Sequence, residues 1–260
     1  MLYSFKGYPD GGKPEAGLIM DKSKNLYGTT ATGGAYGNGT VFKVTSSGTE
    51  TVLYSFGSIP DGNTPWGGVI MDVAGNLYGT TFYGGTYNDG TVFQLTPSRT
   101  ETVLHSFSFL IGSGDGEYPL DGLIMDKSGN LYGTTEQGGA YGDGTVFELT
   151  PGGVETLLYS FGSQPGDGSN AYPYAGVIRD AKGNLYGTTI FGGADNNGMV
   201  FKVFNKGGVW KETILHSFTG EPADGQRPFG GLIRDKAGNL YGATYYGGAY
   251  NNGTVFEVTP

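Results

Sequence analysis

Residues 122–161 read GLIMDKSGNLYGTTEQGGAYGDGTVFELTPGGVETLLYSF, and close variants of this unit fill the whole 260-residue chain. The Asn-Leu-Tyr-Gly core recurs at Asn25, Asn76, Asn130, Asn184 and Asn239, at spacings of 51, 54, 54 and 55 residues. A G-[LV]-I-x-D segment precedes each core, and a glycine-rich loop and a [T/M]-V-F segment follow it. In four units an E-T-[VLI]-L-[YH]-S-F segment closes the set. A repeat of about 40–50 residues made of four short strands is the period of a propeller blade.

Within 122–161 the short apolar run 122–126 is followed by a polar turn at 127–130. Residues 131–135 (LYGTT) form an alternating second strand, 144–150 (GTVFELT) a third and 154–161 (VETLLYSF) a fourth. β-branched and aromatic residues favour the pleated surface. Turns of two to four residues force antiparallel pairing. The expected fold is therefore all-β, a five-bladed β-propeller of four-stranded antiparallel blades. The blades fall at about 17–56, 68–107, 122–161, 176–218 and 231–260, the last completed by residues 1–5. Residues 1–5 read as the tail of a fourth strand, whereas 231–260 hold only the first three. Leu2–Phe5 is accordingly expected to pair beside 253–259 and close the ring as a monomer. The competing reading is a cut-out of a larger ring that self-associates.

Composition agrees with one repeat array. The 51 glycines and 12 prolines fall at fixed phases of the repeat, as turn chemistry rather than disorder. Aspartate and glutamate number 24 against 15 lysines and arginines, a net charge of −9, and no basic run occurs. Nucleic acid and anionic membranes are therefore not expected partners. Cysteine is absent, which excludes disulfides and thiolate metal sites. The chain opens inside a repeat, so no signal peptide is expected, and no apolar run is long enough to cross a bilayer. Both a mature excised domain and a cytosolic protein would read this way.

The unit D-G-x2-P-x2-G-[LV]-I-x-D-x3-N-L-Y-G-T-T-x2-G-G-x4-G-T-V-F-x-[LV]-T resembles the GloVer tandem repeat, named for Gloeobacter and Verrucomicrobia. The resemblance covers essentially the whole chain. Its D-x2-G-N-L-Y portion is also similar to two-component-regulator and NHL propeller repeats. The resemblance implies a secreted or surface-anchored bacterial protein with no established activity, and it supplies no catalytic residue. Departures within the chain are Lys24 in place of glycine, Ala243 and Met199 in place of threonine, and Asp195 in place of tyrosine.

Long, variable loops lead into each first strand, with eleven residues between Phe5 and Gly17 and fourteen between Phe107 and Gly122. In this strand order they share a face with the loops joining second to third strands, and loops on a rigid scaffold carry function. Each leading loop holds an Asp-Gly dipeptide, at Asp10, Asp61, Asp115, Asp167 and Asp224. Clustered carboxylates suit a hard cation such as calcium. The same dipeptide is also ordinary turn chemistry, the stronger of the two readings. The acids Asp21, Asp72, Asp126, Asp180 and Asp235 head the short hairpins and read as turn residues.

A second recurring set is aromatic. Tyr36, Tyr87, Tyr141 and Tyr250 follow the Gly-Gly pair, Trp66, Tyr174 and Phe229 follow the leading-loop proline, and Phe82, Tyr83, Phe191, Tyr245 and Tyr246 follow the second strand. Rings beside Asp and Asn suit a glycan surface, although such rings also serve to pack one blade on the next. The only histidines, His105 and His216, take the place held by Tyr3, Tyr54 and Tyr159 in the other units. They read as structural substitutes, which leaves no base for a nucleophilic triad. A glycosidase would need an acid pair from Glu15, Asp121, Glu136 and Asp195. The expected role is a non-catalytic binding or display module, without cofactor, whose partner is a glycan or another surface protein. A scaffold that binds no small ligand is the alternative.

Overall fold

The computed structural model describes residues 1–109, 114–163, 167 and 173–260. Residues 110–113 of the third leading loop, and Gly168 of the fourth Asp-Gly dipeptide, lie outside the described residues. Every regular element among the described residues is a β-strand. The chain divides into two compact units. One comprises 1–109, 117–131 and 149–155; the other comprises 110–116, 132–148 and 156–260. The boundary passes through the third repeat.

The first unit holds two four-stranded sheets. In the first repeat the order is Ile19–Met20, Leu26–Thr30, Thr40–Val44, Glu50–Ser55. In the second it is Ile70–Met71, Leu77–Thr81, Thr91–Leu95, Glu101–Ser106. Neighbours in sequence are neighbours in the sheet and all pair antiparallel, as short turns require. A register shift between Val41 and Phe42 recurs between Val92 and Phe93 and marks a bulge that bends the outer ladder. The first strands are only two residues long. The rest of each G-[LV]-I-x-D segment is taken up by the approach to the strand and by the aspartate-headed turn.

Packing between sheets follows the repeat. Phe56, at the end of the first fourth strand, meets Phe93 of the next sheet edge-on at 5.1 Å, among buried Val41, Val69, Leu77 and Leu95. Phe5 meets Phe42 in the same way at 4.9 Å. A glycine is obligatory in the second strand opposite these rings. A Cβ on Gly79 would stand 2.8 Å from Phe93 Cζ.

In the second unit the fourth repeat orders Ile178–Arg179, Leu185–Thr189, Met199–Lys206, Val209–Ser217. Its outer hairpin is longer than those of the first two repeats, and the ladder runs on through Phe204↔Lys211, Asn205↔Trp210 and Lys206↔Val209. The fifth repeat has three strands, Ile233–Arg234, Leu240–Thr244 and Thr254–Val258. Phe161–Phe201 and Phe218–Phe256 repeat the edge-on contact at 5.0 Å each.

Residues 1–6 belong to no strand, and the fifth sheet is three-stranded, ending at Thr254–Val258. The other fourth strands pair the glutamate of E-T-[VLI] with the third strand: Glu50↔Val44, Glu101↔Leu95 and Glu212↔Val203. Residues 1–5 lack that segment. What they keep is the side-chain contact of Phe5 with Phe42.

Candidate functional site

Each short hairpin is built around its aspartate. Asp21 accepts bonds from the Ser23 and Asn25 amides at 2.8 Å each, from Asn25 Nδ2 at 2.8 Å and from the Tyr27 hydroxyl at 3.0 Å. Asp72 and Asp180 repeat all four bonds. The bond from the Asn25 side chain leads in holding the Asp21 carboxyl below its usual range. At Asp72 and Asp180 burial pulls upward, and the asparagine, amide and tyrosine donors outweigh it. The turn also needs a left-handed residue, supplied by Gly75, Gly129, Gly183 and Gly238, and by Lys24 at φ 62°.

The leading-loop aspartates make a second clamp. Asp61 accepts from the Tyr54 hydroxyl at 2.9 Å and from the amides of Gly57 and Gly62 at 2.5 and 2.7 Å. Asp10 does the same with Tyr3, the Lys6 amide and the Gly11 amide. Asp224 does so with His216, the Thr219 amide and the Gly225 amide. Asp167 is buried and accepts from Tyr159 at 2.5 Å and Ser163 at 3.4 Å, and Asp115 accepts from the Gly116 amide. Among the described residues no group of three or more His, Asp and Glu side chains is placed to hold a metal ion. The oxygens proposed for a cation are engaged in turn formation.

A further carboxylate stands near this clamp. Glu50, Glu101 and Glu212 each bury one unpartnered Oε1 atom. Burial first, and then the charge of Asp61, pushes the Glu101 carboxyl up to about 7. Burial and then Asp167 push Glu212 up to about 8. Glu212 lines a groove of about 730 Å³ with Tyr159, Ser163 and Trp210. Because the carboxylates recur with the repeat, they belong to its framework rather than to a unique centre. Of the single-copy acids, Glu15 and Asp195 are exposed, and Asp121 accepts from the Gly122 amide. Glu136 is half-buried, and burial raises its carboxyl.

The leading loop then pairs with the loop that leaves the second strand. Gly62↔Gly84 and Asn63↔Tyr83 form a two-residue antiparallel ladder, repeated at Gly11↔Gly33 and Gly12↔Thr32, and at Gly225↔Gly247 and Gln226↔Tyr246. The two loop types therefore meet on one face of each of these repeats. The next residue is left-handed although it is not glycine: Lys13, Thr64, Tyr118 and Arg227 have φ of 55–60°. Its amide donates to the preceding repeat, as in Thr64 to Asn38 O, Tyr118 to Asp89 O and Arg227 to Asn197 O. Its carbonyl accepts from the amide of the residue after the second strand, as in Phe82 to Thr64 and Tyr245 to Arg227. Backbone strain of this kind collects where side chains are aimed at a task.

This geometry gathers rings. In the first unit Trp66 lies 4.3 Å from Phe82, Phe82 stacks on Tyr118 at 4.9 Å, and Tyr83 meets both Phe82 and Tyr118 edge-on. In the second unit Tyr174 meets Phe229 at 5.3 Å, Phe229 meets Tyr245 at 5.4 Å, and Tyr245 meets Tyr246 at 4.6 Å. Trp66, Tyr174 and Phe229 are thus brought into clusters. Tyr36, Tyr87, Tyr141 and Tyr250 are exposed and stand outside these clusters. Tyr118 and Arg227 are absent from the sequence-derived set. Only their place three residues after the Asp of each Asp-Gly pair marks them.

Fold and site together define an all-β repeat protein with aromatic loop clusters and, among the described residues, no helix long and apolar enough to cross a membrane. The chain belongs to the Gloeobacter/Verrucomicrobia repeat family, whose profile matches residues 1–171 and 121–260. No curated protein matches the sequence. Solved structures share the propeller-like fold at low identity. A candidate gluconolactonase has a TM-score of 0.55 and 15 % identity, over 96 % of this chain and 80 % of its own. Virginiamycin B lyase from Staphylococcus aureus has a TM-score of 0.54 and 10 % identity, over 92 % and 68 %. The extracellular domain of a candidate one-component system from B. thetaiotaomicron has a TM-score of 0.58 and 15 % identity, over 90 % of this chain and 26 % of that one.

Proposed function

We propose that the chain is a non-catalytic binding and display module that takes glycans on its loop face, with its repeats arranged as five propeller blades. The supporting observation is the pair of ring clusters. In the second unit Phe229 and Tyr245 are 38 % and 62 % exposed while held in contact with other rings. A pyranose needs an apolar plate for its CH face and polar groups for its hydroxyls. Asn197 and Gln226, bonded to each other at 2.8 Å, supply amides in the loops that carry the rings. Repeated weak sites gain affinity through multivalency. A non-catalytic role is favoured by the histidines, since His216 is bound to Asp224 and packs on Phe218, and His105 packs on Phe107. An extracellular setting is part of this reading, and one of the fold neighbours is the extracellular domain of its own protein.

A glycan array read with the wild-type chain and with Phe229→Ala/Tyr245→Ala tests this function. Binding that the double variant loses at an unchanged melting temperature supports it. Absence of binding to any glycan sinks it and leaves the ligand-free scaffold.

A further inference from the structure

Within the ring cluster of the second unit sits an arginine that no other repeat has at the same place. We propose that Arg227 makes this cluster a site for an acidic sugar, with the guanidinium taking the carboxylate of a hexuronic acid while the rings take its CH face. This rests on the glycan reading above and narrows it.

Four observations carry the inference. The left-handed backbone of Arg227, φ 55°, is pinned at both ends: its amide donates to Asn197 O at 2.7 Å, and its carbonyl accepts from the Tyr245 amide at 3.0 Å. The side chain is therefore launched from a fixed point. Its guanidinium carbon lies 5.0 Å from the centre of the Phe191 ring and 5.8 Å from that of Tyr246. Aromatic faces orient the planar fork without using its N–H groups, which remain directed donors. Nε is buried and has no hydrogen-bond partner, whereas the residue as a whole is only half-buried, so the outer N–H groups of the fork are the donors an acidic sugar would meet. Finally, the equivalent positions carry Lys13, Thr64 and Tyr118, so the planar, permanently charged fork is particular to the fifth repeat.

Charge decides the kind of acid. A net charge of −9 disfavours a polyanion, whose many charges would each meet the field of the chain. A single carboxylate on an otherwise neutral oligosaccharide meets mainly Arg227, because charges beyond about 8 Å are screened at physiological salt. A sparsely acidic glycan, with one uronate per several neutral sugars, is the class that fits.

Titration calorimetry of the whole chain with three probes tests this: a xylo-oligosaccharide carrying one glucuronic acid, its methyl ester, and the unsubstituted oligosaccharide. The ester keeps ring and size and removes only the charge. The acid is expected to bind about tenfold tighter than the ester, as a charge-assisted bond predicts. Arg227→Met should abolish that preference while neutral binding persists, and Arg227→Lys should retain part of it. Should Arg227→Met fail to fold, the wild-type comparison of acid with ester decides alone. Equal binding of acid and ester overturns the role of Arg227 and leaves the glycan reading standing. No binding of any probe, together with a blank glycan array, removes both.

Discussion

His216 Nε2 lies 3.0 Å from Asp224 Oδ2, the place at which the Tyr54 hydroxyl meets Asp61 Oδ2 at 2.9 Å. The two pairs are interchangeable solutions to one problem. The chain must turn out of a fourth strand into a long loop, and the loop aspartate fixes that turn by bonding both the strand's polar ring and two loop amides. His216→Tyr should therefore hold the fold, with a stability change within about 0.5 kcal/mol. Asp61→Ala removes three acceptor contacts and leaves partly buried donors unpaired, at a cost of about 2 kcal/mol. Urea denaturation of both variants checks the assignment, and a neutral Asp61→Ala would refute the clamp.

The glycine of the LYGTT strand answers to the ring opposite it. A methyl group on Gly79 would meet Phe93 Cζ at 2.8 Å and Val69 Cγ1 at 3.3 Å, and Phe93 is fully buried. Gly79→Ala is expected to lose about 1–3 kcal/mol by overpacking. A methyl group on Gly17 would have no neighbour within 4 Å, so Gly17→Ala is the control and should be near neutral. Equal melting temperatures for the two variants would count against the packing of the Phe93 ring over Gly79, its partner in the neighbouring strand of the same sheet.

Acidity acts on two sets of carboxyls in opposite directions. Glu101 is raised from 4.5 to about 7, so the folded state holds its proton more tightly than the unfolded chain does. Its contribution is fully present below 4.5 and is lost as pH rises through about 7. Asp72 and Asp180 are lowered from 3.8, so their contribution is present above that value and is lost as pH falls below it. The melting temperature should peak at mildly acidic pH, decline towards about pH 8 and collapse below about pH 4. Glu101→Gln should flatten the decline on the alkaline side and leave the acid limb unchanged. A wild-type melting temperature that climbs steadily from about pH 5 to about pH 8 would contradict the burial of these glutamates.

The strands were legible because a period of two, interrupted by Gly and Pro at constant phase, has few other solutions. Asp-Gly was legible as a turn for the same reason, since Gly62 and Gly84 lie where backbone meets backbone. The partnership of Tyr54 with Asp61 was not, although both residues stood out separately. Seven residues separate them, and only the folded loop shows that they meet. The ring clusters were half legible. Trp66 and Phe229 are recurrent aromatics, but Lys13, Thr64, Tyr118 and Arg227 share no side-chain type. What they share is a left-handed backbone, and side-chain pattern does not encode it.

That backbone gives a last test. Thr64 is β-branched and holds φ 58°, a conformation in which its Cβ crowds its own carbonyl. It is kept there by its amide, which donates to Asn38 O at 2.9 Å, and by its carbonyl, which accepts from the Phe82 amide at 3.0 Å. Asparagine tolerates this region and leaves both backbone bonds in place, so Thr64→Asn should stabilise the chain by about 1 kcal/mol. Thr64→Pro must unfold the loop, because proline cannot take a positive φ and has no N–H to give to Asn38. Thermal melting of the pair separates strain from mere sequence variation. A destabilised Thr64→Asn would mean that the threonine hydroxyl, 2.7 Å from Asn63 Oδ1, matters more than the strain. The same reasoning then extends to Arg227, whose left-handed backbone would be maintained for where it aims the guanidinium.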